Sequence, residues 1–164
     1  YEMNKSVNDT LADLRQQAYR AGQQIDVSLY YFAGSRVHQA FLNVDAKDVQ
    51  AEPVRSPDGG TPLFDVAGQA IRSATSRPST ENTAYVLTVM TDGCDEHSKD
   101  RNGAALGELI RSSLATDKWT HAFMVPRGYK EKLLRLCPSL SDGNVAEWDV
   151  SDAGIKAYGD SRMD

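Results

Sequence analysis

The chain has 164 residues, 40% of them hydrophobic and 25% charged, with a formal net charge of −5. That length suits one domain with a substantial core, and the acidic balance argues against a nucleic-acid backbone as the main partner. No apolar run approaches the ~20 residues that a membrane span needs.

Met3, Val7, Leu11, Leu14 and Ala18 make one apolar helical stripe, and Gly22 is placed to end that helix. Ile25, Val27, Leu29 and Tyr31 alternate with polar residues as a strand does. Ala33-Gly34-Ser35 then turns the chain into a returning strand, Val37 to Val44, so the pair reads as an antiparallel hairpin. Residues 45–60 are loop-like. Thr61-Pro62 opens a second helix, with Thr61 as N-cap and Leu63, Val66, Ala67, Ala70 and Ile71 as its apolar face.

The stretch Tyr85 to Thr91 is short, apolar and β-branched, with turn residues on both sides. It is expected to be the central strand, buried on both faces. Leu106, Leu109, Ile110 and Leu114 mark a third helix, and Trp119 to Val125 the next strand. A short helix carries Leu133, Leu134 and Leu136, Val145 to Val150 is a last strand, and Ser151 caps a final helix with Ala153, Ile155 and Ala157. Strands alternating with helices imply an α/β domain of three layers.

Two short motifs carry a resemblance. Pro57-Asp58-Gly59-Gly60-Thr61-Pro62-Leu63-Phe64-Asp65 and Val89-Met90-Thr91-Asp92-Gly93 resemble a von Willebrand factor A domain of the short intracellular type found in bacteria and phages. They stand ~30 residues apart, each at its expected helix or strand end. The order of elements along the whole chain is similar too, including the strand around Glu147-Trp148-Asp149.

The resemblance implies an α/β, three-layer, doubly wound and mostly parallel sheet with one antiparallel edge strand, over residues 1–164 as a single domain. It also implies a metal site at the carboxyl end of the sheet, built from an Asp-x-Ser-x-Ser loop, a Thr and an Asp. Thr61 and Asp92 match the last two. Gly60, Gly93, Asp95 and Glu96 are the expected partner-binding rim. The implied cofactor is a divalent cation, Mg²⁺ first and Mn²⁺ or Ca²⁺ as substitutes. Oxygen-only donors suit these ions, and few carboxylates leave the ion electrophilic. The Asp-x-Ser-x-Ser loop does not occur in the 164 residues, so the strand carrying it is expected ahead of Tyr1. The implied function is a non-catalytic protein-binding module in the cytoplasm, taking a partner's acidic residue on the metal, the partner being an AAA-type ATPase or a stress-response protein.

Other residues carry simpler readings. Asp95, Glu96, His97 and Asp100 form an acidic cluster whose default is a solvated loop. Asp65 falls in the first turn of the second helix, where a carboxylate complements the helix dipole. Gly59-Gly60 supplies backbone freedom and not a phosphate loop, because no Lys-Ser/Thr follows. His38 and His121 lie in strands, where packed or hydrogen-bonded imidazoles are the rule.

Cys94 and Cys137 are the only cysteines. Their sparseness suits a reducing compartment, with one disulfide left open. Neighbouring acids disfavour Cys94 as a nucleophile. A metal-dependent hydrolase or phosphotransferase is the rival reading. It lacks a second carboxylate at strand-end spacing and a cation placed to clamp phosphate. A metal-free structural domain of the same fold is the third.

Overall fold

The computed structural model describes residues 2–33, 36–53 and 60–148. Gly34 and Ser35, Pro57-Asp58-Gly59, the end of the last strand from Asp149, and the helix expected after Ser151 lie outside the described residues. The chain divides into two compact units.

The first unit contains helix α1 (Glu2–Ala21), most of strands β1 (Asp26–Ala33) and β2 (Arg36–Asp45), and a 3-10 turn at Ala46–Asp48. The expected stripe faces inward at Leu11 and Ala18, which are buried together with Ala46 and Val49. Gly22 ends the helix with φ +62°, a left-handed conformation that glycine adopts without strain. Polar side chains fix the segment after β2. Asn4 and Asn8, one helical turn apart, donate to the Glu52 carbonyl at 3.3 and 3.1 Å, and Glu52 N returns a bond to Asn8 Oδ1 at 2.8 Å. The loop read at residues 45–60 is therefore ordered over its first part. Asp45 accepts from Lys47 N, and Ala46 N donates to the Ile25 carbonyl.

β1 and β2 form an antiparallel sheet of their own. The hairpin was expected to supply the edge of the parallel sheet, and it does not. The two strands pair with one another as a separate sheet, and Asp26 and Ser28 of β1 are exposed.

The second unit carries a three-stranded parallel sheet in the order β3 (Tyr85–Met90), β4 (Trp119–Pro126), β5 (Val145–Trp148). Helices α2 (Leu63–Thr75), α3 (Ala104–Leu114) and α4 (Lys130–Leu136) pack against β3, β4 and β5 respectively. The core lies between one face of the sheet and these helices, with Leu63, Ile71, Val89, Leu106, Ile110 and Phe123 among its members. Phe64, absent from the expected apolar face of α2, is buried there too.

The strand expected at the centre stands at the edge among the described residues. β4 lies between β3 and β5, and β3 alternates in burial, with Val86 73% exposed and Val89 buried. An apolar run of six residues carries no signal to separate a strand covered on both faces from one covered on a single face. The architecture is thus α/β, with a parallel three-stranded sheet and a separate antiparallel pair. Among the described residues, no helix is long and apolar enough to cross a membrane.

Candidate functional site

The two sequence motifs meet beyond the carboxyl end of β3. Thr91, which follows the strand, is buried, and its amide donates to the Met124 carbonyl at 3.0 Å. Its hydroxyl accepts from Gly93 N at 3.1 Å and donates to the Gly93 carbonyl at 2.9 Å. This folds Asp92-Gly93 into a tight turn with Asp92 exposed at its tip. A Cβ on Gly93 would stand 2.9 Å from Thr61 Oγ1, so the turn approaches Thr61 more closely than any other residue type allows. Glu96 N donates to the Thr61 carbonyl at 2.6 Å and ties the same two segments together.

Thr61 is only 8% exposed. Its side chain does not cap α2, as the sequence had suggested. The helix begins at Leu63, Pro62 occupies the cap position, and no side chain of the cap residue bonds the helix. Gly60 just before it has φ +93°, which bears out the conformational role read for it.

The α2 cap comes instead from Asp95, in the loop after β3. Asp95 Oδ1 accepts from Phe64 N at 2.9 Å and from Ser98 Oγ at 2.7 Å, and Ser98 Oγ accepts in turn from Asp65 N at 3.1 Å. Asp65 reciprocates from the first turn of α2, accepting from Lys99 N at 2.6 Å and Asp100 N at 3.1 Å. Asp100 then caps α3, accepting from Ala105 N at 3.1 Å and Leu106 N at 2.9 Å. Three carboxylates therefore stitch the loop 91–103 to the amino ends of two helices, where N–H groups lack intrahelical partners.

These contacts correct one expectation. Half-buried Asp95 serves as a cap, and the acidic run is not merely solvated, although Glu96 and His97 are exposed. Asp95 also receives support from the β4–α4 junction, its N–H donating to the hydroxyl of the buried Tyr129 at 3.3 Å. Burial raises the Asp95 carboxyl above its ordinary range. The bonds from Phe64 and Ser98 oppose that rise, and the charges of Asp65 and Asp100 add to it.

Ser98 and Tyr129 had no role in the sequence reading. A Ser and an Asp shortly before an apolar helical run are a local cue for capping at α3. The reach of Asp95 to Phe64 spans 31 positions and leaves no local trace. Asp65 does sit in the first turn of α2, as expected. His121 is buried and hydrogen-bonded, whereas His38 is exposed. Both cysteines are free, Cys94 exposed and Cys137 buried, and burial pushes the Cys137 thiol up to about 11.

The Thr61 hydroxyl, which the Gly93 turn approaches, and the exposed carboxylate of neighbouring Asp92 are hard oxygens of the kind a divalent cation takes. Among the described residues, no group of three His, Cys, Asp or Glu side chains could hold a metal. The carboxylates of Asp65, Asp95 and Asp100 are occupied by backbone N–H groups. Compared with known proteins, the chain matches no family model, and no curated protein matches its sequence.

Proposed function

We propose that the chain is a non-catalytic protein-binding module of the von Willebrand factor A type, which takes a partner's acidic residue on a divalent cation, Mg²⁺ by preference. The observation that carries this reading is the meeting of the Gly60-Thr61 and Asp92-Gly93 motifs, with Gly93 admitting Thr61 Oγ1 to 2.9 Å of where a Cβ would be. Carboxyl ends of parallel strands and amino ends of helices are where α/β folds bind ligands. The remaining ion positions fall to water, to the partner's carboxylate and to the Asp-x-Ser-x-Ser segment that the resemblance implies.

A full three-layer, doubly wound sheet belongs to the same reading. An edge strand such as β3, with neither charge nor proline, is one that a further strand pairs with. A cytoplasmic setting and a partner of the AAA-ATPase or stress-response class complete it.

A second reading, the metal-free structural domain, is favoured by the use of Asp65, Asp95 and Asp100 as backbone caps. Mn²⁺ separates the two as a paramagnetic stand-in for Mg²⁺. The metal reading expects selective broadening of the Thr61 and Gly93 amide resonances, reversed by excess Mg²⁺ and lost in Asp92→Ala. Absent broadening would favour the metal-free reading, and broadening that persists in Asp92→Ala would exclude Asp92 as a ligand.

A further inference from the structure

His121 lies in the middle of β4 and is 1% exposed. Its Nε2 stands 2.8 Å from Ser113 Oγ on α3. Ser113 Oγ also donates to the Ile110 carbonyl, again at 2.8 Å. With the Ser113 proton donated to the Ile110 carbonyl, His121 Nε2 carries the hydrogen of the shared contact. The ring is therefore the neutral Nε2–H tautomer. Nδ1 keeps a bare lone pair, buried and without a hydrogen-bond partner among the described residues.

Among the described residues no carboxylate faces the ring, and the stacked face of Trp119 is the one group placed to offset a charge on it. Leu87 is its cross-strand neighbour on β3. Trp119 stacks on it at 5.4 Å and 8°, and Tyr85 stacks on Trp119 at 4.6 Å and 14°. The Asn144 amide binds the His121 carbonyl and not the ring. The charged groups of the packed elements point elsewhere. Glu108 and Arg111 of α3 pair with one another in solvent, Asp142 pairs with Lys130, Lys118 reaches the Thr80 carbonyl, and Glu147 of β5 caps Gly128 and Lys130. Tyr85 is the one titratable group in the stack, and a phenol is neutral in the acid range.

We propose that the buried Ser113–His121 contact makes the packing of α3 on β4 acid-sensitive, held while the imidazole is neutral and lost, with unfolding, when a second proton is taken up at Nδ1. That proton places an unpaired charge in a dry, aromatic site. Burial alone holds the ring below its usual pKa, with no charge contributing. The sign follows from proton counting. The unfolded chain takes up the proton near the ordinary histidine value of ~6.5 and the folded chain refuses it. The stability that the neutral ring contributes is thus fully present above ~6.5 and is lost progressively as pH falls from there toward the lowered value of the folded ring.

Nitrogen-15 spectra of the imidazoles in the full chain, with unfolding followed from pH 8 to 4.5, test this directly. The expected ring has its proton on Nε2 and does not titrate near ~6.5 while folded. The folding constant of the wild type should fall relative to His121→Phe by up to ~10-fold per pH unit below that point. His38 and His97 are common to both proteins and cancel in the ratio. His121→Gln keeps a donor for Ser113 and serves as the second reference, and the ring spectra need no variant at all. A proton on Nδ1, an ordinary titration in the folded state, or parallel pH profiles would overturn the proposal.

Discussion

Asp95 separates a structural acid from a metal or partner ligand, and two substitutions at one position make the distinction. Asn at 95 keeps a carbonyl oxygen to accept from Phe64 N and Ser98 Oγ, and it removes the charge. Ala removes the acceptor altogether. A lost N-cap costs about 1 kcal/mol, and a buried N–H left without a partner costs about 1–3 kcal/mol. Phe64 is buried, so its amide incurs that penalty. Asp95→Ala should therefore destabilise the second unit by about 2–3 kcal/mol, a fall of about 4–12 °C in melting temperature for a chain of this size.

Asp95→Asn should cost far less, because it also relieves the burial of a charge beside Asp65 and Asp100. The pH dependence has a definite sign. A carboxyl raised by folding binds its proton more tightly in the folded state, so its contribution is present at low pH and is lost as pH rises through the raised value. The gap between Asp95→Asn and wild type should then shift in favour of the variant as pH rises from ~4 toward neutrality. Urea unfolding read by tryptophan fluorescence, at several pH values, measures all three proteins. If Asn proves as damaging as Ala, the charge itself matters and the capping argument fails.

Gly93→Ala should displace Thr61, because the added carbon would stand 2.9 Å from its hydroxyl. An amide shift at Thr61 and weaker Mn²⁺ broadening are the expected signs, and an unchanged Thr61 resonance would contradict the close approach. Alkylation of the native protein at pH 8 should label Cys94 and spare Cys137, whose thiol is buried and held near about 11. Mass spectrometry of the digest counts the labels, and equal labelling would show that the helix α4 end opens readily.

The elements were legible because their periodicities are local. The stripe of α1, the alternation of β1 and the apolar face of α3 each announce themselves within a few turns or pleats. The position of β3 in its sheet was not legible. Which neighbours a strand finds depends on pairing across dozens of residues, and the six residues Tyr85 to Met90 look alike at an edge or a centre. The same division runs through the site. The Thr61 and Asp92 motifs stand out by composition and turn chemistry, while Asp95, Ser98 and Tyr129 act through bonds spanning 31 to 34 positions, apart from the local Ser98–Asp95 pair.

Loops on protein surfaces ordinarily gain and lose residues freely over evolutionary time, because lengthening one adds little closure entropy. The loop 91–103 is built otherwise. Asp95 and Ser98 reach Phe64 and Asp65, the Asp65 carboxylate receives Lys99 and Asp100, and Asp100 reaches Ala105 and Leu106, each over a fixed count of residues. One inserted residue between Asp95 and Asp100 would set the carboxylates out of step with the donors on both helices. Descendants of this sequence should thus keep that interval constant in length even where its exposed positions, Glu96 and His97, change identity.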